Sequence, residues 1–302
     1  MSYLRRPEMP SVRDERDEKI SISEWNGERG NILIGIPFDS YTRGRPGARF
    51  APQKIRSFLR YDSFNAEDWK SVPRILDAGD IDVVQHDLLE TRRRIYSSVS
   101  YLADFSERLI VLGGDHSVTA PCLKGLREKL GEMGLIVLDS HLDIRELKGE
   151  VSSGSAIIDS MREGKINPSN VVEIGVRSFL NSKYYFEKAK RMGIRFYTSL
   201  EVSEIGILEV VREAFERASD GVEKVYLSVD VDVLDQSFAP GVNSAHPGGI
   251  STRELFSACR ELGKRKEVIA IDFTEVNPLV DPWDFTPKVV AMAMAYFLSS
   301  IM

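Results

Sequence analysis

The chain is poor in cysteine and lacks any long hydrophobic run. Only two cysteines, Cys122 and Cys259, occur in 302 residues. This excludes a disulfide framework and favours a reducing, cytoplasmic environment. No apolar segment is long enough to span a membrane, and the charged N-terminus lacks the apolar core of a signal peptide. No basic block stands out in a chain of net charge −6, so we predict neither a nucleic-acid nor a membrane partner.

Apolar runs alternate with helical patterns along most of the sequence. Hydrophobic residues make up 42% of the chain and charged residues 28%, which is typical of a globular protein with a sizeable core. The alternation predicts an α/β fold with a mostly parallel sheet, including single helices over residues 203–218 and 287–301. No repeat or linker divides the chain. We therefore predict one domain over residues 1–302, with the polar residues 1–29 as an arm or irregular lead-in.

Three predicted strands end in aspartate or histidine side chains. After the strand over residues 135–138 such side chains occupy alternate positions, which point the same way in an extended chain. The strands over residues 109–112 and 225–229 end similarly. Open α/β sheets bind ligands at the carboxyl ends of their strands, so we expect these side chains to converge. The candidate metal ligands are His116, Asp139, His141, Asp143, Asp230 and Asp232.

Six ligands of this kind are too many for one zinc ion and suit two harder cations. Four aspartates and two neutral imidazoles balance two divalent ions in charge. Mixed carboxylate and imidazole ligation suits Mn²⁺, with Zn²⁺ and Fe²⁺ as alternatives. Two ions about 3.5–4 Å apart can share a water and lower its pKa from about 15.7 toward 7, which produces a nucleophile at neutral pH.

Three segments carry a family resemblance: Gly-Gly-Asp-His-Ser at residues 113–117, Asp-Ser-His-Leu-Asp at 139–143, and Ser-Val-Asp-Val-Asp at 228–232, followed by Asp235. They resemble the signatures of the ureohydrolase family, which includes arginases, agmatinases and guanidino-acid hydrolases. The similarity extends from about residue 31 to the end of the chain. It implies a three-layer α/β/α arginase-like fold with a mostly parallel eight-stranded sheet, two Mn²⁺ ions per chain, and a homotrimer or homohexamer.

The resemblance also implies residue roles. Glu275, in Thr-Glu-Val-Asn-Pro, matches the family glutamate that pairs with a guanidinium group, as a planar guanidinium favours a carboxylate partner. Asp143 would accept a proton and relay it to the leaving amine. The ligands would divide as follows: Asp139 and Asp230 bridge the ions, His116 and Asp143 complete one site, and His141 and Asp232 complete the other.

Within the family the pattern favours an agmatinase. Residues 37–50 are similar to the agmatinase-type loop after the first strand, and the arginase-type polar insert after Asp143 is not visible. The predicted substrate is therefore a small guanidino cation, agmatine, hydrolysed to putrescine and urea in polyamine biosynthesis. The alternatives are aminopropylagmatine, a guanidino acid, formiminoglutamate or arginine, or a weakly active metal-binding paralogue. Arg145 could contact an acidic substrate tail or pair with Glu146 or Glu150 on the surface.

The chain departs from the family pattern in three places. Ser153 stands where many relatives have a proton-shuttling histidine, and serine does not titrate near pH 7. We predict that Ser153 contacts substrate instead. Gln236 replaces a usual proline, and His246 stands where relatives often have glutamate. We hypothesise that His246 takes over proton transfer; the alternative is a solvent-exposed loop histidine.

Overall fold

The computed structural model describes residues 4–5, 18–146 and 152–301. In this part of the chain twelve β-strands are interspersed with nine α-helices. The strands are β1 Leu4–Arg5, β2 Ile22–Glu24, β3 Gly30–Gly35, β4 Phe64–Asn65, β5 Lys70–Ser71, β6 Ile75–Ile81, β7 Ser106–Leu112, β8 Met133–Leu138, β9 Val171–Val176, β10 Arg195–Thr198, β11 Lys224–Asp230 and β12 Val268–Thr274. The helices are α1 Ala51–Arg56, α2 Leu88–Ala103, α3 Thr119–Leu130, α4 Ala156–Glu163, α5 Lys183–Met192, α6 Ser199–Ile205, α7 Ile207–Ala218, α8 Thr252–Gly263 and α9 Phe285–Ser299.

The central sheet is mostly parallel, as predicted. Eight parallel strands lie in the order β6-β3-β7-β12-β11-β8-β9-β10. Two short strands extend it beyond β6, because β2 pairs with β6 in parallel and β1 pairs with it antiparallel. The lead-in predicted to be irregular thus contributes β2 to the sheet edge. Strands β4 and β5 form a separate hairpin.

Helices cover both faces of the sheet and give the predicted three layers. Alternate residues of a strand point to opposite faces. In β8, Ile136 and Leu138 belong to the core beneath α1 and α6–α9, whereas Leu135 and Val137 belong to the core beneath α2–α5. A sheet buried on both faces explains why its strands read as continuous apolar runs. Among the described residues, no helix is both long enough and apolar enough to cross a membrane.

Two predicted helix boundaries were wrong. The single helix expected over residues 203–218 is two helices, α6 and α7, separated at Gly206. Gly206 has a φ of 92°, which a glycine adopts readily and which interrupts a helix. The Thr198 hydroxyl accepts a hydrogen bond from Glu201 N, so that α6 begins earlier than predicted. The last helix, α9, begins at Phe285 rather than at residue 287.

The strand order places the predicted functional segments side by side. The segments follow β7, β12, β11 and β8, which are consecutive neighbours in the sheet. The register of the sheet brings the carboxyl ends of these four strands to the same level. Leu138 of β8 pairs with Val229 of β11, and Phe273 of β12 pairs with Leu112 of β7. Four strand ends therefore open onto one small region at the carboxyl edge of the sheet.

Candidate metal centre and substrate cavity

The first group of candidate ligands surrounds the imidazole of His116. His116 Nδ1 lies 3.2 Å from Asp139 Oδ2, 3.4 Å from Asp143 Oδ2 and 3.3 Å from Asp230 Oδ2. All four side chains are buried. One imidazole nitrogen and three carboxylate oxygens thus face a common point, which is a donor set for a divalent cation.

The second group contains His141, Asp139 and Asp232. His141 Nδ1 lies 3.4 Å from Asp139 Oδ1 and 3.1 Å from Asp232 Oδ2. Asp139 therefore belongs to both groups and offers one oxygen to each. The structure brings all six predicted ligands together in two adjacent groups that share one carboxylate.

Two observations on these groups fit a pair of cations. His116 Nδ1 and Asp139 Oδ2 are buried without a hydrogen-bond partner in the described part of the chain. Buried polar atoms rarely lack a hydrogen-bond partner, so we expect these two atoms to bind a cation. Burial favours the neutral imidazole of His141, but the carboxylates of Asp232 and Asp139 outweigh it and raise its pKa to about 12. The cluster thus strongly attracts positive charge, which bound cations would supply.

The second ring nitrogen of His116 is held by a buried polar network. His116 Nε2 lies 3.0 Å from Ser228 Oγ, and Ser228 Oγ donates to Asp272 Oδ1 at 2.6 Å. Asp272 also accepts hydrogen bonds from Tyr226 and Thr119. Because the Ser228 proton goes to Asp272, its oxygen is free to accept from His116 Nε2–H. This leaves His116 Nδ1 unprotonated toward the carboxylates, the tautomer that a metal ligand needs.

Replacing Ser228 by alanine is therefore expected to weaken cation binding. Without its acceptor, the His116 ring loses its fixed tautomer and orientation, and such losses typically reduce metal affinity by about 10–100-fold. The dissociation constant for Mn²⁺, measured by isothermal titration calorimetry, checks this. Ser160→Ala is the matched control, because Ser160 is buried in α4 and donates to Ala156 O, away from His116. Equal Mn²⁺ affinities of the two variants would contradict the assignment.

Glu275 lies next to this centre in a strained backbone conformation, with a φ of 64°. Its Oε1 accepts a hydrogen bond from His116 N and its Oε2 accepts one from Asn243 Nδ2, both at 2.9 Å. Burial raises the pKa of Glu275 to about 8, and the Asp115 carboxylate adds to this shift. A buried carboxyl held by two donors, without a cationic partner in the described structure, suits a cationic substrate group.

A cavity of about 290 Å³ opens above the centre. Candidate ligands and Glu275 form part of its wall, and polar loop residues form the rest. The lining residues are Thr42, Arg43, Gly44, His141, Asp143, Arg145, Ser153, Gly154, Asp230, Asp232, Asn243, Ser244 and Glu275.

Two arginines line this cavity, Arg43 and Arg145. Neither pairs with a carboxylate among residues 4–5, 18–146 and 152–301. In particular, Arg145 does not pair with Glu146, which instead contacts Arg162 and Lys188; Glu150 lies outside the described residues. The Arg145 side chain packs closely against the backbone of Gly154. A Cβ at position 154 would lie 3.0 Å from Arg145 Cδ. Two arginines without a carboxylate partner in the described part of the chain thus line the cavity.

The loops around the cavity are tied together by the buried side chain of Asn277. Its Nδ2 donates to Arg45 O at 3.0 Å and to Asn243 Oδ1 at 2.7 Å. Its Oδ1 accepts from Leu279 N. Gly47 passes so close that a Cβ there would lie 2.0 Å from Asn277 Oδ1. One amide thus fixes three loops relative to one another.

The structure places Ser153, predicted to contact substrate, and His246, proposed to take over proton transfer, in different surroundings. Ser153 lines the cavity and donates its backbone N–H to Tyr41 O at 3.0 Å. His246 is exposed and does not line the cavity. Ser244 lies between His246 and the centre, with its Oγ 3.3 Å from His141 Nε2 and 3.5 Å from His246 Nδ1.

Asn243 and Ser244 were missed in the sequence analysis. They belong to an irregular segment after β11, where spacing carries no directional information. Their position is visible only once the chain folds back, so that Asn243 reaches Glu275 and Thr42. The sequence feature that could have identified them is an asparagine next to a serine in a glycine-rich loop, and this feature is only weakly indicative of a functional site.

Comparisons with known proteins agree with this geometry. The sequence model that describes the arginase family matches residues 30–300 of this chain. The formimidoylglutamase of Halalkalibacterium halodurans is 33% identical over 282 residues, covering 91% of this chain and 88% of that protein. An agmatinase of Neisseria gonorrhoeae is 30% identical over 277 residues, covering 88% of this chain and 86% of that protein.

Solved structures give the same result. The crystal structure of formimidoylglutamase from Bacillus subtilis superimposes with a TM-score of 0.91 at 29% identity, covering 96% of this chain and 94% of that one. A Trypanosoma cruzi formiminoglutamase with Mn²⁺ superimposes with a TM-score of 0.82 at 26% identity, covering 95% of each chain. The chain is thus a hydrolase that acts on amidino or guanidino C–N bonds, and it belongs to the arginase family. The agmatinase prediction is not favoured over its alternatives, because formimidoylglutamases are the more similar relatives.

Proposed function

We propose that this chain hydrolyses the formimidoyl C–N bond of an N-formimidoyl amino acid, with formimidoylglutamate as the first candidate. Water adds to the amidine carbon, the C–N bond to the amino acid breaks, and formamide and glutamate are released. The observation that carries the proposal is that Arg43 and Arg145, which pair with no carboxylate of the described residues, line a cavity whose floor is acidic. A substrate with a cationic amidine and an anionic tail would match the acidic floor and the two arginines. Two relatives, at 33% and 31% identity, are formimidoylglutamases, whose substrate has both groups.

The floor of the cavity would hold two Mn²⁺ ions per chain. The first group, His116, Asp139, Asp143 and Asp230, would hold one ion, and Asp139 with His141 and Asp232 would hold the other. The unpaired His116 Nδ1 and the Mn²⁺ of the Trypanosoma cruzi relative support this assignment. When bound, the ions supply Lewis acidity that makes water a nucleophile at neutral pH.

Glu275 would bind the cationic amidine. Its carboxylate is oriented by His116 N and Asn243 Nδ2, and a planar amidinium can donate two parallel hydrogen bonds to it. Asp143 lies on the same wall of the cavity and would take the proton of the attacking water and return it to the departing nitrogen.

Arg145 and Arg43 would bind the carboxylates of the substrate tail. Arginine binds carboxylates through paired, charge-assisted hydrogen bonds. The same arginines would repel the free ammonium group of agmatine. Ser153, beside Arg145, can add a hydroxyl to the contacts with the tail.

A substrate screen tests the proposal directly. The Mn²⁺-loaded protein is incubated with formimidoylglutamate, guanidinobutyrate, arginine and agmatine, and formamide, urea and the released amines are measured. We expect the highest kcat/KM for formimidoylglutamate. A higher kcat/KM for agmatine would overturn the proposal in favour of an agmatinase, the second candidate, which the 30% identical agmatinases support.

Replacing Arg145 by methionine is expected to raise the KM for formimidoylglutamate with little change in kcat. Hydrogen bonds to charged groups contribute about 1.5–3 kcal/mol, so the increase should be about 10–100-fold. Steady-state kinetics with formamide detection measures it. Arg162→Met is the matched control, since Arg162 is exposed and pairs with Glu146 outside the cavity. If both variants keep the wild-type KM, Arg145 does not bind the tail.

A further inference from the structure

One side chain lies between the two ends of the substrate cavity. Asn243 Nδ2 donates to Glu275 Oε2 at 2.9 Å and to Thr42 Oγ1 at 3.0 Å. Glu275 is the proposed partner of the amidine, and Thr42 directly precedes Arg43, a proposed partner of the substrate tail. A single amide group therefore joins the wall that would bind the amidine to the loop that would bind the tail.

The orientation of the Asn243 amide is fixed by the buried amide of Asn277. Leu279 N donates to Asn277 Oδ1, so Asn277 Nδ2 points the other way, where it donates to Asn243 Oδ1 at 2.7 Å. Because Asn243 Oδ1 accepts this bond, its Nδ2 faces Glu275 and Thr42. An asparagine amide offers an acceptor on one side and donors on the other, and here a backbone N–H determines which side is which.

The backbone around Arg43 rests on Asn243. The Thr42 hydroxyl accepts a hydrogen bond from Asn243 and another from Gly44 N at 3.3 Å. Gly44 packs against the same side chain, since a Cβ at position 44 would lie 3.0 Å from Asn243 Cβ. Arg43 itself is exposed and pairs with no carboxylate of the described residues. The position of its guanidinium group therefore depends on the backbone that Asn243 holds.

We propose that Asn243 sets the length of substrate tail that the cavity accepts, an inference that rests on the proposed function. The same amide holds Glu275 and the backbone of Arg43, so the separation between the amidine site and this tail site is fixed. A substrate gains charge-assisted hydrogen bonds at both sites only when its amidine and carboxylate have the matching separation. A tail of the wrong length displaces one of these groups, and a displacement of about 1 Å can reduce rates by about 10²-fold.

The first test compares two substrates that differ by one methylene. The Mn²⁺-loaded wild type is expected to hydrolyse formimidoylglutamate with a kcat/KM about 10²-fold higher than that for formimidoylaspartate. In Asn243→Ala this ratio should fall by about tenfold, the upper range for the loss of one hydrogen bond, because the loop around Arg43 can shift toward the shorter tail. Thr42→Val removes only the acceptor on the loop and should lower the ratio as well.

Gln236→Ala is the matched control for this comparison. Gln236 lies in the same irregular segment as Asn243, is exposed and is bonded through its backbone N–H. The variant should keep the wild-type ratio. An unchanged ratio in both Asn243→Ala and Thr42→Val would overturn the proposal.

A double-mutant cycle separates the effect on the tail from the effect on the amidine. Arg43→Met alone is expected to raise the KM for formimidoylglutamate by about tenfold or more, because a charge-assisted hydrogen bond is lost. In Asn243→Ala the same substitution should raise KM by less than about threefold, since Arg43 is then no longer held in place. In Gln236→Ala it should keep its full effect. Additive effects of Asn243→Ala and Arg43→Met would mean that Asn243 acts only on Glu275, and they would refute the proposal.

Hydrogen–deuterium exchange tests the contact itself and does not depend on turnover. Peptides covering residues 40–46 should exchange faster in Asn243→Ala and Thr42→Val than in the wild type and Gln236→Ala, because the loop loses a fixed contact. Unchanged exchange would contradict the proposal even if formimidoylglutamate is the best substrate. If agmatine is the best substrate, the proposed function fails, whereas faster exchange and a reduced preference between amidines of different tail length would still support the role of Asn243.

Discussion

Replacing Asp139 by asparagine is expected to abolish catalysis and the binding of both cations. Asp139 offers Oδ1 to the group around His141 and Oδ2 to the group around His116, so that one substitution removes a charged oxygen from each. Metal ions contribute several kcal/mol to such a reaction, and every 1.36 kcal/mol is tenfold in rate. We therefore expect kcat/KM to fall by about 10³-fold or more. The loss of catalysis is checked by measuring the rate of amidine hydrolysis, and the loss of cation binding by measuring bound manganese with atomic absorption.

Thermal unfolding separates this effect from misfolding. Saturating Mn²⁺ stabilises the wild type through binding, by about 2.7 kcal/mol at a hundred times the Kd. Asp139→Asn should lose this Mn²⁺-dependent rise in Tm, and its metal-free Tm should fall below the wild-type value, because His116 and His141 outweigh the effect of burial and lower the pKa of Asp139 to about 2, so that its carboxylate stabilises the folded protein. Asp159→Asn, which lies in α4 and accepts from Ser155 Oγ, is the control and should keep the rise. A normal rise in Asp139→Asn would refute its place in the centre.

Replacing Glu275 by glutamine is expected to lower kcat/KM by about 10²–10³-fold. The substitution keeps the shape and an oxygen that accepts from His116 N, but it replaces the oxygen that accepts from Asn243 Nδ2 by an NH2 group and removes the charge that pairs with the amidinium. Loss of one partner of a buried ion pair costs about 3–5 kcal/mol, and part of this is offset by the remaining hydrogen bonds. Steady-state kinetics on the best substrate of the screen measures it. A change below tenfold would mean that the amidinium binds elsewhere.

The stability of Glu275→Gln gives an independent check. The folded structure raises the pKa of Glu275 to about 8, well above that of an unfolded glutamate near 4.3. A raised carboxyl pKa destabilises the folded state increasingly as the pH rises from about 4.3 to about 8. Glutamine does not ionise, so the metal-free variant should unfold at an equal or higher temperature than wild type at pH 8. Lower stability would show that the carboxylate has a structural role.

The sequence was sufficient to predict the fold and the convergence of the strand-end side chains. His116, His141 and Asp232 were recognisable because each follows an apolar run, and parallel strands bring their carboxyl ends to one edge. The eight central parallel strands agree with the resemblance to the family. Strand ends are predictable because their geometry depends on a two-residue period and on sheet topology.

Contacts made by irregular segments were not predictable in this way. Asn243 and Glu275 are 32 residues apart in the sequence and meet only in the folded structure, and Asp272 acts on His116 only through Ser228. The choice between agmatine and the alternative substrates could not be made from the sequence for the same reason. Arg145 was noted as ambiguous, and the structure leaves it facing the cavity without a carboxylate among the described residues. Side chains in loops do not point in directions that repeat at a fixed spacing. Their contact partners therefore depend on the tertiary structure and could not be predicted from the sequence.

The amide of Asn277 has a consequence for how new specificities arise on this scaffold. Because it bonds to Arg45 O, Asn243 Oδ1 and Leu279 N at once, the segments bearing those atoms are one mechanical unit. A transplanted loop over residues 40–46 that follows a different backbone path would remove Arg45 O as an acceptor for the buried Asn277 amide, at a cost of about 1–3 kcal/mol. Divergence of substrate preference should therefore proceed by concerted replacement of several loops, and chimaeras that exchange a single loop should fold poorly before they change substrate.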